Sequence, residues 1–233
     1  MKNKNLAIIP IREGSKRIKD KNIKNFNGKP LFYYSLKAAI NSGVIDKIII
    51  TSDSLRYLKL VKKYFKTSNL IEYLIRPYSI SRSTSSTESA ISHCLKNYKD
   101  FENIFLIQAT SPLIASEDLV LGFKKYKKFN YDSLFSAYLS KSFLWKLNEN
   151  ANLRSINYDY KKRPMSQVFK NYLILENGSF YIFKYKKFTK YNNRLFDKIG
   201  FYEMNKYLSI DIDDIKDFKL AEFISSNIKL FKN

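Results

Sequence analysis

Three observations predict an α/β fold, a mainly parallel sheet with helices on both faces. Short apolar runs at 7–10, 47–52, 70–74, 103–108 and 133–139 read as strands, and the stretches between them carry apolar residues at helical spacing. The first run, Ala7-Ile8-Ile9-Pro10, is apolar without alternation, as a strand buried on both faces requires. At 233 residues and 45% hydrophobic, the chain is long enough for one domain, 1–233, with a full core.

The first strand leads into a loop crowded with cations. Arg12, Lys16, Arg17, Lys19 and Lys21 offer charge-assisted donors, while Gly14 and Ser15 let backbone N–H groups approach oxyanions in a concave nest. This is a candidate phosphate cradle, and its competitor is a solvated basic loop. The spacing is neither that of a P-loop nor that of a dinucleotide fingerprint. Glu13 places an acid inside the loop, which opposes an anion unless its side chain turns outward.

The segment 25–30 reads as a turn launching a helix, with Pro30 near the first helical position, Gly43 past the end, and Leu31, Tyr34, Ala38 and Ile40 as the apolar side. The second strand ends in Asp53, and Ser54 caps a helix carrying Leu55, Leu58, Val61 and Phe65. An acid at the carboxyl end of a strand in an open α/β sheet faces the ligand crevice, so Asp53 is either a contact for a metal or sugar hydroxyl or a turn residue.

After the third strand come Arg76-Pro77 and a hydroxyl-rich stretch, 79–88, in which Ser85 and Glu88 have capping-box spacing before a helix with Ile91, Cys94 and Leu95. Gln108, ending a buried apolar strand, needs partners for both amide functions, supplied by a ligand or by the Ser111-Pro112 turn. A helix over 117–129 follows. Beyond 140 the periodicity breaks, and 140–176 reads as an insertion whose Trp145 and tyrosines suit an interface or a packed surface loop. Asn177-Gly178 signals a turn, with a strand after it.

Near the end, Asp211 and Asp213 precede a helix with Phe218, Ala221, Ile224 and Ile228. Residues two apart in extended chain point the same way, so the pair presents two carboxylates to one point and suits Mg²⁺. The alternative is that Asp213 or Asp214 caps the helix.

No apolar run reaches the roughly 18 residues of a membrane span, and the N-terminus leads straight into a strand, so no membrane association is expected and the chain reads as cytoplasmic. The single Cys94 forms no internal disulfide, and with the lone His93 it makes no zinc cluster; it reads as a small core residue. The net charge of +21 is spread over every segment and accompanies an excess of Asn, Ile, Tyr and Phe, so codon bias explains it without nucleic acid as a partner. That charge steers anionic substrates. A basic RNA-binding module remains the alternative of a different class.

Arg12, Gly14, Ser15, Lys16, Ile18, Lys21 and Asn22 together fit R-x-G-S-K-x-I-x-x-K-N, and here the chain resembles the acylneuraminate cytidylyltransferases. Further similar stretches follow in order at Arg76 to Thr87, Gln108 to Leu113, Arg163 to Phe169, Glu176 to Phe183 and Ser209 to Asp213. The resemblance implies a Rossmann-like nucleotide-diphospho-sugar transferase fold, CTP and a nonulosonic acid as substrates, Mg²⁺ as cofactor, and a homodimer formed through the insertion. It implies catalytic roles for Arg12, Lys21 and Asp211, and a metal site at Asp211 and Asp213. Substrate contacts are implied for Gly14, Ser15, Lys16, Asn22, Arg76, Thr87, Gln108, Thr110, Ser111, Gln167 and Asn177. The chain departs from the family at Glu13, Ser83, Ala109, Met165 and Val168, and the gap from Gln167 to Asn177 is one residue longer. A cytidylyltransferase for the eight-carbon acid Kdo is the nearest enzyme alternative, although the Lys21-Asn22 ending favours the nine-carbon branch.

Overall fold

Ile8, Ile49 and Leu106 are fully buried in adjacent strands of a seven-stranded sheet in the computed structural model, which describes residues 4–231 apart from 150, 166, 170 and 171. In chain order the elements begin β1 (Asn5–Pro10), β2 (Asn25–Phe26), β3 (Lys29–Pro30), α1 (Phe32–Asn41), β4 (Lys47–Ser52), α2 (Leu55–Tyr64), β5 (Ile71–Ile75), α3 (Thr87–Leu95) and β6 (Asn103–Ile107). They continue with α4 (Ser116–Lys128), β7 (Ser133–Ser140), β8 (Trp145–Leu147), β9 (Leu153–Ser155), β10 (Leu173–Lys184), α5 (Tyr185–Tyr191), β11 (Ile199–Glu203) and α6 (Ile215–Ser226).

The sheet order is β11-β7-β10-β6-β1-β4-β5. Every neighbouring pair is parallel except the two made by β10, which runs antiparallel between β6 and β7. Alternate residues of the central strands feed two cores, as the period of two along a strand demands. Ala7, Ile9, Ile48, Ile50 and Phe105 pack under α1, α2 and α4, whereas Leu6, Ile8, Ile49 and Leu106 pack under α3 and α5. Cys94 is buried in the second core, as its burial habit predicts.

Four local expectations are corrected. Pro30 pairs in the β2–β3 hairpin, whose turn residues Asn27 and Gly28 have φ of 43° and 88°, and α1 starts after it. The cap of α3 is Ser86, which accepts from Ser89 N at 3.2 Å, because Glu88 is drawn to Arg194 at 2.6 Å instead of closing a box with Ser85. Asn177-Gly178 does not begin a strand. It lies inside β10, where the register with β7 shifts between Glu176 and Tyr181, and Gly178 takes the φ of 71° that a bulge residue needs. Ile228 falls in a 3-10 turn beyond α6, which Asp214 caps by accepting from Lys216 N and Asp217 N.

Between β7 and β10 the chain leaves the sheet as an arm built on the β8–β9 hairpin. Its aromatics pack on one another, with Phe143 4.5 Å from Tyr158 and 4.8 Å from Phe169, and Trp145 5.5 Å from Tyr160. Leu147, Leu153, Ile156 and Met165 stay exposed.

One acid fastens the far side of the sheet. Burial would raise the Asp132 carboxyl, but Lys184 at 2.7 Å, Lys187 at 2.8 Å and the Lys198 N–H hold it down to about 2 from an ordinary 3.8. A depressed folded-state value gives stability that is present above the unfolded value and lost as pH falls from about 4 towards about 2. Asp132→Asn is therefore expected to be less stable than the parent at pH 7 by about 1–3 kcal/mol in urea unfolding, the gap closing as the pH is lowered through that window.

Candidate active site

A cleft of about 460 Å³ opens at the carboxyl ends of β1, β5 and β6, the edge where ligands of open α/β sheets bind. Its first wall is the loop after β1, with Arg12, Ser15, Lys16, Arg17, Lys21 and Asn22. Its second comes from the segment between β5 and α3, with Arg76, Arg82, Ser83, Ser85, Ser86 and Thr87. Gln108 and Thr110 follow the end of β6, and Asp211 and Asp213 close the ring from just before α6.

Segments 194 residues apart meet because each inserts an isoleucine into the same apolar cluster. Ile18, in the middle of the cationic loop, and Ile212, between the two aspartates, are both buried there with Leu31, Leu113 and Phe218. The Ile212 N–H donates to Thr110 O at 2.9 Å, which straps the acidic segment to the end of β6. The Lys21 ammonium donates to the Ile212 carbonyl, between the two carboxylates. Burial lowers the pKa of Lys21 against the pull of Asp211 and Asp213. Burial likewise raises that of Asp211, although the Thr110 hydroxyl and Lys21 oppose it. Asp211 is exposed to the cleft itself, so this desolvation comes from the protein packed behind it.

Asp211 and Asp213 are the carboxylates of the cleft lining, an oxygen-only pair of the kind that holds Mg²⁺ together with substrate phosphates. Among the described residues no group of three metal-ligating side chains exists, so further ligands would come from substrate or water. Asp213 also pairs with Arg17 at 3.2 Å, in full view of solvent.

Arg76 is buried, donates to Ser81 Oγ at 2.9 Å, and has no carboxylate within ion-pair distance among the described residues. Burial lowers its pKa, so this guanidinium is under-solvated and turned to the cleft. Ser86 and Thr87 set the first turn of α3, whose Ser89 N–H is capped by Ser86 Oγ, on the same wall.

Other predicted residues take different places. Glu13 does turn outward, to Arg56, and Asp53 accepts from the Glu13 N–H at 3.0 Å, which is the turn role rather than a crevice contact. Gly14 has an ordinary φ and open space around it, and the Ser15 N–H donates to Glu13 O at 2.7 Å, within the loop itself. Asn22 lines the cleft but commits its amide to Arg12 O at 3.0 Å. Ser111 is buried behind the cleft with an unpaired hydroxyl. Gln167 is exposed on the arm and outside the lining, and Ser166 beside it lies outside the described residues. Asn177 is buried, accepting from Ser136 Oγ at 2.6 Å and Ser179 N at 3.1 Å, so it braces the bulge instead of facing the cleft. Lys19 points to solvent. Arg82, which sequence reasoning did not single out, lines the cleft; its place in the hydroxyl-rich stretch was the available signal.

The family model described as cytidylyltransferase matches residues 6–230, nearly the whole chain. The chain belongs to the cytidylyltransferase family. It is 30% identical over 226 residues to the N-acylneuraminate cytidylyltransferase of Escherichia coli O18:K1:H7, covering 95% of this chain but 52% of that protein, so it spans about half of that relative. It is 28% identical to the pseudaminic acid cytidylyltransferase of Campylobacter jejuni, covering 95% of this chain and 96% of the relative. Among solved structures, a CMP-2-keto-3-deoxy-manno-octonic acid synthetase complexed with CTP superposes with a TM-score of 0.70 at 12% identity, over 97% of this chain and 100% of that one. The 4-diphosphocytidyl-2C-methyl-D-erythritol synthase of Anaerococcus prevotii superposes at 0.68 and 14%, over 96% and 99%. These two show the fold alone, the mainly parallel α/β architecture expected from the sequence. Among the described residues of this cytidylyltransferase-family chain, no helix is long and apolar enough to cross a membrane.

Proposed function

We propose that the cleft activates a nine-carbon keto-sugar acid with CTP: the anomeric hydroxyl attacks the α-phosphorus, the bond to the β-phosphate oxygen breaks, and the CMP-sugar and pyrophosphate are formed. What carries the reading is the convergence of the cationic loop with Asp211 and Asp213 in one cleft, fixed by Ile18 and Ile212. Arg12, Ser15 and Lys16 hold the triphosphate, and Lys21 faces the charge that develops as pyrophosphate leaves, in a site where burial keeps its ammonium poorly hydrated. Arg76 and Thr87 take the nucleotide, while Gln108 and Thr110 stand between it and the sugar acid. Mg²⁺ bound by Asp211 and Asp213 would neutralise phosphate charge. The cleft lining holds no histidine, and the proton of the attacking hydroxyl passes to a carboxylate or to water. Holding both substrates in line and neutralising the phosphate charge together account for the acceleration such a displacement needs.

The Campylobacter relative, matched over almost its full length, supports the nine-carbon class. The exposed apolar residues of the arm support a homodimer. Pyrophosphate release from CTP and Mg²⁺ with a panel of N-acetylneuraminic, legionaminic, pseudaminic and Kdo acids tests the substrate, and turnover with a nine-carbon acid is expected. Turnover confined to Kdo moves the assignment to the eight-carbon branch. Absence of turnover, with salt-dependent RNA affinity that survives Lys21→Ala and Asp211→Ala, replaces the enzyme reading.

A further inference from the structure

The phosphate loop carries two acids of its own, Glu13 and Asp20, each next in sequence to a cation of the cleft, Arg12 and Lys21. Left to themselves these carboxylates would repel an entering polyanion and compete for the cations. Both are instead gathered outside the cleft by one side chain in the first turn of α2. Arg56 donates to Glu13 Oε1 through Nε at 2.9 Å and Nη2 at 2.5 Å, and through Nη2 to Asp20 Oδ1 at 2.8 Å. The neighbouring Tyr57 hydroxyl donates to the same Asp20 oxygen at 2.9 Å, and Tyr57 is itself fully buried. From the end of β4, Asp53 receives the Glu13 N–H. Exposed ion pairs are usually worth little, but a planar fork spanning two carboxylates, one of them also fixed by a buried tyrosine, is the geometry that escapes that rule. The Tyr57 hydroxyl and Arg56 keep Asp20 below its ordinary value and hence charged. Arg56 itself is absent from the cleft lining.

We propose that Arg56 is a positioning residue for nucleotide binding: it draws the two loop acids out of the cleft and so presents Arg12 and Lys21 to the triphosphate. Adjacent side chains leave a backbone in different directions, and tethering positions 13 and 20 at one guanidinium therefore fixes where 12 and 21 point. The clamp also explains how this chain accommodates an acid at position 13. The inference rests on the proposed use of the cleft for CTP, and two independent readouts separate the two claims.

Amide hydrogen exchange over 13–24 and CTP binding by calorimetry are to be compared in the parent, Arg56→Ala, and Arg56→Ala with Glu13→Gln. Arg56→Ala should speed exchange across the loop, weaken CTP binding about tenfold and lower kcat as well, since the loop presents both a triphosphate ligand, Arg12, and the group facing the developing charge, Lys21. Adding Glu13→Gln should restore most of the affinity, because the freed acid is then uncharged. Unchanged loop exchange in Arg56→Ala, or an affinity loss that Glu13→Gln leaves whole, overturns the clamp. A parent protein that binds no CTP overturns the reading of the cleft, while the exchange measurement still decides the clamp.

Discussion

Lys21→Ala is expected to lower kcat/KM for pyrophosphate release by about a hundredfold or more, the effect of removing one preorganised electrostatic group from a cleft. A hundredfold is about 2.7 kcal/mol of transition-state stabilisation. The argument lies in what surrounds the ammonium: its donor is committed to the Ile212 carbonyl, the two aspartates flank it, and burial lowers its pKa. A cation that water solvates poorly gains more from an arriving phosphate than one on the surface, and needs no reorganisation when the charge develops. Circular dichroism should show the fold intact, since the cluster of Ile18, Ile212 and Phe218 does not include the lysine. Activity close to that of the parent would remove Lys21 from its assigned role.

Asp211→Asn is expected to cost about a hundredfold as well, by the same measure, but with a different signature. The strap between the acidic segment and the end of β6 is a backbone bond, from Ile212 N–H to Thr110 O, so it survives the substitution. What disappears is one of two anionic oxygen donors, and pyrophosphate release should then require a higher Mg²⁺ concentration for half-maximal rate. A Mg²⁺ dependence identical to the parent's would place the ion elsewhere. Comparing the two variants separates direct charge on the phosphates from charge delivered through a metal.

The central sheet was legible because its strands announce themselves: Ile8, Ile49 and Leu106 sit in runs that only a doubly covered strand tolerates. The cleft residues Arg12, Lys16, Lys21, Asp211 and Asp213 were legible for a different reason: charge alone did not distinguish them in a chain whose lysines are spread over every segment, and the resemblance to the acylneuraminate cytidylyltransferase motifs did. The position of β10 was hidden. Its direction between β6 and β7 depends on how the arm returns, and no local pattern encodes that. Asn177-Gly178 carried a sound turn signal that tertiary pairing converted to a bulge, because positive φ serves both. Ser15 could not be read as spending its N–H on Glu13, since one loop hydrogen bond has no compositional trace. Arg56 was invisible for a simpler reason: it lies 43 residues from Glu13 and looks like any lysine or arginine on a polar helix face.

The reversed strand has a consequence for how the family fold accommodates change. In a wholly parallel sheet each strand delivers its final residues to the ligand edge, and the polypeptide must then travel back through a covering helix. Because β10 runs the other way, its opening residues, from Leu173 to Ser179, lie beside the closing residues of β6 and β7. The arm accordingly departs from the ligand edge and comes home to it without crossing the molecule. Lengthening, trimming or resurfacing that excursion leaves every covering helix untouched, so the arm can change while the sheet beneath stays fixed.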